Sequence, residues 1–74
     1  MSDRWSVIVY LRSSLKETFL VGNEKDAMQY ASRIQREGAL VVDARGVTTF
    51  WPVQEIFKVK VVPPGVELVV TEML

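Results

Sequence analysis

The chain has neither cysteine nor histidine in its 74 residues. Without them no disulfide and no zinc site of the usual sulfur and nitrogen ligands can staple the fold. A chain this short sits near the lower limit for a domain held by its core alone. Apolar side chains make up 49% of it, so burial, helped by association between copies, is what remains to stabilise it. The length allows one domain spanning 1–74.

The same two absences narrow the chemistry. No Ser-His or Cys-His nucleophile can be assembled. The nine basic and nine acidic side chains cancel, so the strong positive field of a typical nucleic-acid binder is missing. No apolar run approaches the length of a membrane span, and the opening MSDRWSVIVYLR places charges on both sides of a short apolar stretch, unlike a signal peptide. A cytoplasmic location with no membrane contact is the resulting expectation.

Hydrophobic patterning predicts strands over 5–12 (WSVIVYLR) and 16–21 (KETFLV), joined at Ser13-Ser14. Both faces of the first are apolar, which marks it as central. A helix is predicted over 24–37. Asn23 stands at its cap, Glu24 and Asp26 lie in its first turn, Ala27, Tyr30, Ala31 and Ile34 share one stripe, and Gly38 follows its end. The small Ala27 and Ala31 predict close packing on a sheet. Strands are predicted over 39–43 and 47–51, joined at Ala44-Arg45-Gly46. Another is predicted over 56–62, with Phe57, Val59 and Val61 on one side and Lys58 and Lys60 on the other. Pro63-Pro64-Gly65 breaks the chain before a last possible strand over 66–71. The predicted fold is α+β: an antiparallel sheet of five to six strands, order β-β-α-β-β-β, with one helix on one face and strong curling as the alternative.

Candidate chemistry is sparse. The carboxylates are scattered, and no pair has the placement acid-base catalysis requires. Each glycine stands alone at an element boundary, so no phosphate-cradling loop exists. Ser13, Ser14 and Lys16 are explained by a turn. Neither catalysis nor a cofactor or metal site is expected.

Two surface constellations remain. Trp5, Tyr10, Phe50 and Trp51 exceed what a single helix can cover, so some of them are expected on the opposite sheet face as a partner-binding surface, unless the sheet curls and buries them. The partner is a second copy, forming a homo-oligomer, or another protein. Arg12, Lys58 and Lys60, interleaved with aromatics, form a candidate nucleic-acid-binding face as the second reading.

Residues 48–62, TTFWPVQEIFKVKVV, pair an aromatic-proline strand end (Trp51, Pro52) with an Ile-x-x-Val-x-Val strand (Ile56, Val59, Val61). That stretch, about a fifth of the chain, resembles the closing segment of small prokaryotic and phage-type proteins of unknown function. The resemblance implies a small β-rich domain and carries no activity.

Overall fold

The structure, a computed structural model, describes residues 4–66. Strand β1 (Trp5–Leu11) occupies the centre of a three-stranded antiparallel sheet, flanked by β2 (Lys16–Val21) and β5 (Ile56–Val62). Its alternation divides the core. Val7, Val9 and Leu11 point to one side and pack with Ala27, Ala31 and Ile34 of helix α1 (Glu24–Glu37). Ile8 and Tyr10 point to the other side and join Val62 in a second, smaller cluster. A strand buried on both faces has no wet side, hence its uninterrupted apolar sequence.

Local chemistry sets the ends of α1. The Asn23 side-chain oxygen accepts from the Asp26 amide at 2.8 Å, satisfying one orphan donor of the first turn. At the other end Gly38 adopts φ 95°, and its N–H donates to the Ile34 carbonyl at 2.8 Å. A Cβ at Gly38 would run into the carbonyl oxygen of Trp51, so both its left-handed conformation and its lack of a side chain are required.

The expected single sheet of five to six strands is not formed. Strands β3 (Ala39–Val42) and β4 (Thr48–Trp51) pair only with each other, as a separate two-stranded hairpin, and the spatial order of the main sheet is β2-β1-β5. The cause lies in the corner after β4. Pro52 supplies no donor, and Val53–Glu55 form one 3-10 turn that redirects the chain to the far side of β1. Arg12 fixes this corner: its amide donates to the Glu55 carbonyl at 2.8 Å and its Nε to the Gln54 carbonyl at 2.9 Å.

The alternation expected in 56–62 also fails at its first residues. A bulge opposite Tyr10 and Leu11 pairs Ile56 with Leu11 and Lys58 with Tyr10. Phe57 is the extra residue and stands 51% exposed, while Ile56 takes the place against the core. The strand expected over 66–71 lies, save Val66, outside the described residues.

Candidate functional site

The side of the main sheet away from α1 is built in rows across three strands. Lys16, Tyr10 and Lys58 stand side by side, then Thr18, Ile8 and Lys60, then Leu20, Ser6 and Val62. Tyr10 is only 9% exposed. The Nζ of Lys58 lies 4.9 Å from its ring centroid and that of Lys60 lies 5.9 Å away. Such cation-π contacts stabilise by about 0.5–1 kcal/mol each near a surface. This face is basic over a buried tyrosine rather than an open aromatic platform. Arg12 does not join the two lysines; its guanidinium is held at the Gln54 carbonyl.

The four aromatic partner candidates do not share a surface. Trp5 shares the helix-facing side of β1 with Val7 and Val9, and it packs against their cluster. Tyr10 lies on the opposite side. Trp51, at the base of the β3–β4 hairpin beside Ala39, packs against the helix-side core. Its indole N–H is buried and has no acceptor among the described residues, so the ring is held for its bulk. Phe50 alone points outward, at 72% exposure.

Phe50 is not isolated. Across the hairpin it faces Leu40, with Val42 and Thr48 the next same-face pair. Leu40 and Val42 are exposed, as is Val47 in the connecting loop. Every residue from Val42 to Phe50 is exposed. One side of a projecting arm is therefore apolar, and no charged residue occupies its strand positions. The tip is closed by local hydrogen bonds. Asp43 Oδ1 accepts from the amides of Arg45 and Val47 at 2.8 and 3.0 Å, and Gly46 takes φ 85°. Backbone bonds from Asp43 N to the Val47 carbonyl and from Gly46 N to the Asp43 carbonyl close the turn, both at 3.0 Å.

Two hollows lie along α1, one of them beside this arm. The smaller, about 510 Å³, lies between the end of α1 and the hairpin and is lined by Tyr30, Arg33, Glu37, Leu40, Phe50 and Trp51 among others. The larger, about 930 Å³, is an open groove between β2 and the flank of α1, where Phe19, Leu20, Asp26, Tyr30, Arg33 and Arg36 face it. Phe19 and Tyr30 meet edge to face at 5.1 Å in its floor. Tyr30 and Arg33 line both hollows, so arm and groove form one continuous surface. The sequence reading did not pick out the groove. Its trace was visible as Asp26, Gln29, Arg33 and Arg36, spaced along one flank of a helix.

Among the described residues no group of three or more acidic side chains converges in a way that could hold a metal ion. No helix among them is long and apolar enough to cross a membrane. No family model matches the chain, and no curated protein or solved structure does either.

Proposed function

We propose that this protein is a non-catalytic assembly module that associates with further copies of itself through the apolar side of the β3–β4 hairpin. The observation that carries this reading is Phe50, 72% exposed among Leu40 and Val42 on a hydrogen-bonded two-stranded arm. Large aromatic groups displayed on a preorganised element supply binding energy with little ordering cost. The face offers no charged residue at its strand positions, so apolar contact rather than charge pairing is what it gives a second copy. A further copy is present at equal concentration, and twofold pairing is the commonest symmetry of soluble assemblies.

Light-scattering mass measured over a wide concentration range tests the reading. The expected result is a dimer or larger species that dissociates on dilution. Phe50→Asp is expected to weaken association by about tenfold or more, the scale of an aromatic side chain covered in an interface. It should leave the melting temperature of the protomer nearly unchanged, because the side chain contacts mostly solvent there. A wild-type chain that stays monomeric throughout that range contradicts the proposal.

A second reading rests on a different observation, the Lys58 and Lys60 cations set over Tyr10 with Lys16 in the same row. It makes this face a binder of single-stranded nucleic acid, at the expense of a neutral net charge. Titration of labelled single-stranded DNA and RNA at low salt decides it; affinity that is absent, or indifferent to Lys58→Glu with Lys60→Glu, removes it.

A further inference from the structure

We infer that the twofold axis of the assembly runs beside Phe19 and Tyr30, so that the β2 strands of two copies pair edge to edge and their α1 flanks face each other. The inference rests on the self-association proposed above and specifies its geometry.

The first support is the backbone of β2. In the turn joining β1 to β2, the Leu11 N–H donates to the Leu15 carbonyl at 2.9 Å and the Ser14 N–H to the Leu11 carbonyl at 3.0 Å. Bonded and non-bonded pairs alternate along an antiparallel ladder. From that start, Glu17, Phe19 and Val21 direct their amides and carbonyls to β1, while Lys16, Thr18 and Leu20 direct theirs outward. Among the described residues no strand pairs with that outward edge. The edge is six residues long, with neither proline nor a bulge to blunt it. Lys16 blunts only the start of this edge, and the open remainder from Thr18 to Leu20 is a template for another strand.

The second support is charge. The α1 flank that lines the groove carries Asp26 toward its start and Arg33 and Arg36 toward its end. Tyr30 stands between them, level with Phe19, to which its ring is packed. A twofold axis at that level makes β2 antiparallel to the second β2 and α1 antiparallel to the second α1. It then brings each Asp26 opposite the other copy's Arg33. The flank is complementary to itself under this one operation, whereas a parallel pairing would set like charges together. The same register pairs Thr18 with the other copy's Leu20, both outward-directed, and brings the two Phe19 rings to the centre. Because Tyr30 and Arg33 also line the hollow beside Phe50, the hairpin lies on the margin of the same interface.

The test measures the dimer dissociation constant of the full chain by sedimentation equilibrium. Thr18→Pro removes an outward amide without touching the β1 ladder and is expected to weaken the dimer at least about tenfold. Asp26→Arg and Arg33→Asp, each alone, are expected to weaken it by about tenfold as well, and the double reversal to restore it to within about threefold. The restoration excludes a trivial folding defect. A dimer that Phe50→Asp disrupts but that ignores Thr18→Pro and both charge reversals overturns this geometry and leaves the assembly reading standing. A monomeric wild type overturns both.

Discussion

Gly38 shows how one residue can hold two elements in place. It ends α1 in a left-handed conformation and lies so close to the carbonyl of Trp51 that any side chain there would displace β4. Gly38→Ala is expected to lower stability by about 2–3 kcal/mol, combining backbone strain with that collision; chemical denaturation measures it. Trp51 tests the neighbouring contact. Its ring packs against the core, but its N–H has no acceptor among the described residues. Trp51→Phe should therefore be mild, about 1 kcal/mol, while Trp51→Ala should cost about 2–4 kcal/mol, below the full core range because the ring is half-buried. A Trp51→Phe loss as large as that of Trp51→Ala would contradict the reading that partial ring bulk suffices there.

At the scale of elements, local chemistry made several boundaries readable in advance. Asn23 and Gly38 bracket the helix, and Gly46 takes the positive φ of 85° that a glycine turn allows; Ser14, read as a turn residue for its local hydrogen bonding, adopts a φ of 76° that serine seldom takes. What escaped the sequence was long-range. Whether β3 and β4 extend the main sheet depends on a corner fixed by Arg12 and Gln54, 42 residues apart, and no spacing rule encodes that pairing. The sides taken by Trp5 and Tyr10 were equally hidden, because a strand apolar on both faces gives alternation no polarity to report. The bulge at Phe57 broke period two where Lys58 and Lys60 seemed to fix it. Of the candidate surface, Phe50 was legible as an aromatic beyond the core's needs. The groove beside it was not, since it arises only when β2 and α1 are set at their observed separation. Arg12→Met is expected to loosen the corner, costing about 1–2 kcal/mol for the lost charged hydrogen bond. Faster hydrogen exchange should be confined to residues 52–56 if Arg12 acts there.

For the molecule as a whole, the imbalance between apolar content and cover is resolved differently from the simplest expectation. The side of the sheet opposite α1 is closed around Ile8, Tyr10 and Val62. Of the exposed apolar side chains, Leu40, Val42, Val47 and Phe50 gather on the β3–β4 arm, while Leu15, Leu20 and Phe57 are exposed elsewhere. Stability should then depend on protein concentration, because association that binds only the folded chain adds to it by mass action. The melting temperature is expected to rise as concentration rises, and to lose that dependence in Phe50→Asp. The most direct measurement of the central claim is the solution mass of the wild-type chain from micromolar to near-millimolar concentration, by light scattering. A shift from protomer toward twice that mass, moved to higher concentration by Phe50→Asp, is the expected result; one unchanging protomer mass over the whole range would contradict self-association.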